Sequence, residues 1–236
     1  MERDLTEQDL SIEQSAILFI KEHARIIQKN VADIERFPMV DKAVSIFMAG
    51  SPGAGKTEFS KRLINDLGKP IVRIDADEIR DMLPQYYRNA TLMQRAAALG
   101  VEKVYDFALH NNQDLILDGT LIDYEKAVSN IQRSLNHGRL VQIYYIYQEP
   151  EVAWDFTKKR EAIENRGIPK EFFITAFFKS KENVNRLKNT FGKLIQVNLI
   201  IKNYHNDIEQ ICWDVDLIDL HLKIDYTETL LQNMLN

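Results

Sequence analysis

The sequence predicts an α/β fold, a mainly parallel sheet between helices preceded by an N-terminal helical arm, and three observations predict it. The apolar runs Ala43–Ala49, Ile71–Ile74, Leu115–Leu117 and Val141–Tyr147 lack the polar alternation of half-exposed strands. Longer stretches of helical character separate them, and that alternation builds a buried parallel sheet with helices on both faces. The first run leads straight into a Gly/Pro-rich turn and then an amphipathic segment, the order strand, phosphate loop, helix.

Each element has its own signal. From Ile12 to Glu35 the residues Ile12, Ala16, Phe19, Ile20, Ile26, Ile27 and Ile34 fall near helical spacing, and Pro38 closes the segment. This is the arm, residues 1–40, and residues 41–236 form the main domain. Thr57–Leu67 patterns as a helix ending near Gly68, and Thr91–Asn111 as a longer one. Leu194–Ile201 is a fifth strand, and the tail after Trp213 is expected to add another strand and a last helix through Leu235.

Composition narrows the function. With 236 residues, one substantial core forms and two independent enzymatic domains do not fit. A net charge of −5 gives no basic field to hold a polynucleotide backbone, which disfavours a nucleic-acid partner. The single cysteine, Cys212, can form no internal disulfide and no thiolate metal cluster, which suits a reducing cytoplasm. The opening Met-Glu-Arg-Asp is acidic where a signal peptide would be basic, and Ala16–Ile20 is too short to span a bilayer, so a soluble cytoplasmic protein with no membrane contact is expected. His23, His110, His137, His205 and His221 are scattered without metal-ligand spacing.

Gly50-Ser51-Pro52-Gly53-Ala54-Gly55-Lys56-Thr57 fits the Walker A pattern. Its glycines let backbone N–H groups close around phosphate oxygens, and the helix N-terminus that follows favours negative charge. Lys56 is placed to reach the β and γ phosphates of ATP, and Thr57 to ligate Mg²⁺. The fold class is thereby refined to a P-loop NTPase, nucleoside-kinase-like. The metal also needs a carboxylate at the carboxyl edge of the sheet, and Leu115-Ile116-Leu117-Asp118 supplies Asp118. Asp118 with Gly119 is equally a strand-ending turn, and the phosphate loop tips the balance towards metal binding.

Ile74-Asp75-Ala76-Asp77-Glu78 gathers three carboxylates where open α/β sheets bind ligands. Phosphoryl transfer to an alcohol needs a carboxylate to accept the hydroxyl proton, and Asp77 is the candidate. Asp75 or Asp77 is also expected to cap the next helix. Further on, Trp154–Arg166 carries Lys158, Lys159, Arg160 and Arg166 before Gly167-Ile168-Pro169 interrupts the helix. A basic segment broken this way, about 154–170, can act as a lid, with Arg160 and Arg166 stabilising the transferring phosphoryl group. A charge run is otherwise a solvated face.

Taken together, four ordered blocks make the chain resemble the zeta-toxin family of P-loop kinases: residues 50–57, Ile74-Asp75-Ala76-Asp77-Glu78-Ile79-Arg80 with Leu83-Pro84, Asp118-Gly119-Thr120, and Asn165-Arg166-Gly167-Ile168-Pro169-Lys170. They run from about Ala43 to Val184, and no family block follows. The resemblance implies a kinase that phosphorylates the 3′-hydroxyl of the aminosugar in UDP-N-acetylglucosamine, acting as a toxin. It assigns Lys56 and Thr57 to phosphate and metal, Asp77 to the proton, Arg160 and Arg166 to phosphate, and Asp77, Thr120 and Glu102 to the substrate. It also implies an antitoxin that engages the N-terminal arm and obstructs the nucleotide site. The residues alone leave open a P-loop kinase for another nucleotide, a cofactor, an antibiotic alcohol or a polynucleotide end, and, in another class, a nucleotide-binding switch.

Overall fold

The computed structural model describes residues 6–84, 90–164 and 167–235. In chain order the elements are α1 (Glu7–Glu22), α2 (Ala24–Ala32), β1 (Val44–Ala49), α3 (Lys56–Leu67), β2 (Val72–Asp75), α4 (Ala76–Asp81), α5 (Ala90–His110), β3 (Leu115–Asp118), α6 (Tyr124–Asn136), β4 (Leu140–Tyr147), α7 (Pro150–Glu164), α8 (Lys170–Phe191), β5 (Ile195–Lys202), β6 (Ile208–Cys212) and α9 (Glu228–Met234). The chain divides into two compact units, Met1–Ala43 with Pro70–Leu117, and Val44–Lys69 with Asp118–Asn236.

In the first unit, α5 is the hub on which α1, α2 and α4 pack. Ala16, Ile20, Ile27, Ile79, Ala96, Ala97, Val104 and Tyr105 are buried there. The arm is two helices. A capping box opens α1, with Thr6 Oγ1 accepting from Asp9 N–H at 3.2 Å and Asp9 Oδ2 accepting from Thr6 N–H at 3.1 Å. The helix stops at His23, whose ring stacks on Phe19 at 4.1 Å while Nδ1 lies 2.9 Å from the Phe19 carbonyl. Of the seven apolar arm positions, Ile26 and Ile34 are exposed. The Gln113 amide ties down the segment after α2 by donating to the carbonyls of Ala32 at 2.9 Å and Phe37 at 2.7 Å.

The second unit holds strands in the order β1-β4-β5-β6. The first three are parallel, with Ala49 beside Tyr145 and Ile146 beside Ile200, and β6 runs antiparallel to β5. Five consecutive residues of β1, Ser45–Ala49, and five of β4, Ile143–Tyr147, are buried on both faces, which is why these strands read as continuous apolar runs. The expected strand after Trp213 is not where the structure puts one. The sixth strand precedes Trp213, at Ile208–Cys212, and among the described residues the tail beyond holds a 3₁₀ turn at Ile218–Leu220 and α9. Val215, Ile218 and Leu222 are buried as anchors of an irregular segment, so their spacing reflects packing and not a ladder. Among the described residues no helix is long and apolar enough to cross a membrane.

Candidate functional site

The phosphate loop joins β1 to α3 in the second unit. Gly50, Gly53 and Gly55 have φ of 138°, 73° and 82°, values that L side chains rarely adopt. The turn brings the unpaired N–H groups of the first turn of α3 to the loop. Lys56 Nζ bends back across it, donating to the carbonyls of Gly50 at 3.1 Å and Ser51 at 2.7 Å. An ammonium held over the loop is where a polyphosphate chain would meet it. Gly53 also touches α7: a Cβ there would lie 1.9 Å from the Ala153 carbonyl oxygen and 2.7 Å from Thr157 Oγ1.

Thr57 and Asp118, the two residues expected at a metal, lie against each other. The Thr57 hydroxyl donates to Asp118 Oδ2 at 3.3 Å. Ser60 Oγ, fully buried one turn further along α3, lies 3.3 Å from the same oxygen and 3.0 Å from the Thr57 carbonyl. A hydroxyl and a carboxylate converging at the loop are hard oxygen donors, and they fit Mg²⁺, which is typically bound by one or two carboxylates with waters and phosphate oxygens completing its shell. Among the described residues no group of three His, Cys, Asp or Glu side chains forms a protein-only metal cage.

The acidic block lies in the first unit, and its three carboxylates have different tasks. Asp75 caps α4, accepting from Asp77 N–H at 2.8 Å. Its other oxygen and Glu78 are held by the buried guanidinium of Arg73, each at 2.5 Å. Asp77 pairs with Arg80 at 2.5 Å on the next turn of α4, with about a third of its side chain exposed. Capping and the Arg73 clamp thus occupy Asp75, while Asp77 and Glu78 each combine a fixed carboxylate with access to solvent.

Arg160 is exposed on α7. It lies three residues beyond Thr157, hence on a neighbouring face of the helix that touches Gly53. On the same helix Lys158 binds Glu161 at 2.7 Å and lies 5.6 Å from the Trp154 ring centroid, and Lys159 lies 5.5 Å from that of Phe156. Pro169 is the residue before α8, as the helix interruption predicts. Arg166 lies outside the described residues. Glu102, on α5 of the first unit, is half-buried, and so is Thr120, in the loop after β3 of the second.

Sequence reading missed Ser60, Arg73, Arg80 and Lys202. Ser60 had a signal, since it follows Thr57 by three positions on one helix and shares its face. The arginines pair within a few residues of their own positions, Arg73 with Asp75 and Glu78 and Arg80 with Asp77, whereas Lys202 reaches Gly55 only through folding. A cleft lined by Glu171, Thr175, Glu228 and Gln232 between α8 and α9 contains none of the predicted site residues.

Comparison with known proteins extends these observations. A family model described as zeta toxin matches residues 28–213. A structure of the PezAT chromosomal toxin-antitoxin system of Streptococcus pneumoniae is similar over 100% of this chain and 90% of that one, at 17% identity and a TM-score of 0.63. A crystal structure of AvrRxo1-ORF1 with AvrRxo1-ORF2 and ATP is similar over 89% of this chain and 71% of that one, at 14% identity and a TM-score of 0.64. At these identities the two structures speak for the fold. No curated protein sequence matches the chain.

Proposed function

This chain belongs to the zeta toxin family of P-loop kinases, and on that premise we propose that it transfers the γ-phosphate of ATP to the 3′-hydroxyl of the aminosugar in UDP-N-acetylglucosamine, as the toxin of a toxin–antitoxin pair. The observation that carries the phosphotransferase reading is the junction of phosphate loop and strand-ending acid, Lys56 over the loop and Thr57 bonded to Asp118. The acceptor rests on the family.

In this reading the backbone N–H groups of residues 50–57 and the Lys56 ammonium hold the β and γ phosphates in line for attack. Thr57 and Asp118 would hold Mg²⁺, which when bound neutralises phosphate charge. Asp77 accepts the proton of the attacking hydroxyl. Its pairing with Arg80 fixes the carboxylate, so less orientational freedom is lost when the acceptor binds. Arg160 and Arg166 place guanidinium charge on the transferring group, a role worth roughly 10³- to 10⁵-fold in other phosphoryl-transfer enzymes. Glu102 and Thr120 contact the sugar nucleotide.

The arm is the proposed docking place of the antitoxin. Leu10, Leu18 and Ile26 stand exposed on α1 and α2 while Ala16, Ile20 and Ile27 are buried, so the arm has apolar surface to spare. The likeness to a toxin of the PezAT system supports this reading.

The test is ATP consumption across a panel of acceptors: UDP-N-acetylglucosamine, nucleosides, cofactor and antibiotic alcohols, and polynucleotide ends. Stimulation by the sugar nucleotide, abolished by Asp77→Asn, is expected. Stimulation by a different acceptor in an active preparation would refute the substrate while leaving the kinase.

A further inference from the structure

We propose that Lys202 is a second cation of the nucleotide site, contacting the phosphate chain of the bound nucleotide from the end of β5. The proposal rests on the loop at residues 50–57 being the nucleotide site, and it adds a residue that the Walker A pattern does not contain.

Lys202 is the last residue of β5 and is 6% exposed. Its ammonium lies directly against the loop: a Cβ on Gly55 would be 2.2 Å from Lys202 Nζ. Lys56 Nζ sits at the carbonyls of Gly50 and Ser51, so two lysine ammonium groups approach the same loop at different points. A lysine buried this far is ordinarily paired with a carboxylate. Here the acids that act on it are Glu58 and Asp207, both across space, and Glu58 Oε2 stands 3.5 Å from the same Cβ point on Gly55. Burial lowers its proton affinity, and the two carboxylates oppose that.

The local backbone is built to aim this side chain. The ladder between β5 and β6 shifts register at Ile201 and Lys202, an irregularity that re-aims a side chain. The turn beyond is rigid: Asn203 Oδ1 accepts from the N–H groups of His205 and Asp207, both at 2.9 Å, and the Gln148 amide donates to the Asn203 carbonyl at 3.1 Å. Asn206, at φ 68°, also lies at the Gly55 position, its Oδ1 3.5 Å from the same Cβ point. Such a support for one long cationic side chain is unnecessary for a solvated lysine. It fits one whose counter-charge arrives with the ligand, because a desolvated cation near helix N-terminal N–H groups strengthens binding of an anion.

The experiment is calorimetric titration of the full chain and of Lys202→Met and Lys202→Arg with ATP, ADP and adenosine, beside thermal denaturation of each without nucleotide. Lys202→Met should bind ATP and ADP about tenfold or more weakly and adenosine unchanged, with a melting temperature no lower than that of the parent. Lys202→Arg should recover part of the loss. Unchanged ATP affinity in Lys202→Met overturns the proposal, as does an equal loss for adenosine, or a lowered melting temperature with affinity intact, which would make Lys202 a structural clasp. If the parent chain itself does not bind ATP, the phosphate-loop reading fails and the assignment of Lys202 falls with it, an outcome distinct from loss of ATP affinity in the variant alone.

Discussion

Replacing Gly53 by alanine tests whether the phosphate loop and α7 act as one catalytic unit. Two separate costs follow from the structure. The backbone at φ 73° disfavours any L side chain by about 1–2 kcal/mol. In addition, the new methyl would sit 1.9 Å from a backbone oxygen, that of Ala153, where ordinary contact begins at 3.4 Å. Loop and α7 must therefore separate by roughly 1.5 Å, and a misplacement of about 1 Å costs on the order of 10²-fold in rate. Gly68→Ala is the control: its φ of 60° imposes the same backbone strain, but a Cβ there meets nothing within 4 Å. ATP turnover by both variants, with melting temperatures, separates the effects. Gly53→Ala should lose about 10²-fold in kcat/KM. Gly68→Ala should melt a few degrees lower, as about 1 kcal/mol implies in a chain of this length, with turnover intact. Turnover of Gly53→Ala within twofold of the parent would refute the coupling of loop and α7.

Four other outcomes are expected. Lys56→Ala should abolish ATP turnover while circular dichroism shows the fold retained, since its ammonium is held by carbonyls of its own loop. Asp118→Asn should weaken the magnesium dependence of the rate, read as a rise in the metal concentration for half-maximal activity, because the acceptor for Thr57 and Ser60 loses its charge. Arg73→Met should lower stability to urea by about 3 kcal/mol, the low end for a broken buried ion pair, since Glu78 is half exposed and keeps water as a partner. The stability difference between Lys202→Met and the parent should favour the variant at neutral pH, where Lys202 is charged in both states and burial penalises the folded one. Because its folded proton affinity lies below the ordinary 10.5, the charge-dependent part of that difference should shrink as pH rises through the folded pKa and level off above 10.5.

The parallel strands were legible in the sequence because burial on both faces demands uninterrupted apolar residues, as in Ile143-Tyr144-Tyr145-Ile146-Tyr147 of β4. The edge strand β6 was not. Its Glu209, Gln210 and Ile211 all face solvent, so Ile208–Cys212 carries no hydrophobic period, while Val215, Ile218 and Leu222 downstream imitate one. The phosphate loop was legible because glycine at positive φ is a local requirement written into consecutive residues. What stayed hidden were partnerships between distant positions: the touch of α7 on Gly53 and the approach of Lys202 to Gly55. Asp75 illustrates the middle case. A cap at the start of α4 was foreseeable, but the Arg73 clamp that separates its task from that of Asp77 depends on which side chains are buried together.

The central claim is most directly tested by mass spectrometry of the product formed from ATP and UDP-N-acetylglucosamine. The account predicts a sugar nucleotide carrying one added phosphate, with fragmentation placing it on the aminosugar 3′-oxygen, and no such product from Asp77→Asn. An unmodified sugar nucleotide after incubation with enzyme that turns over ATP on another acceptor would contradict it.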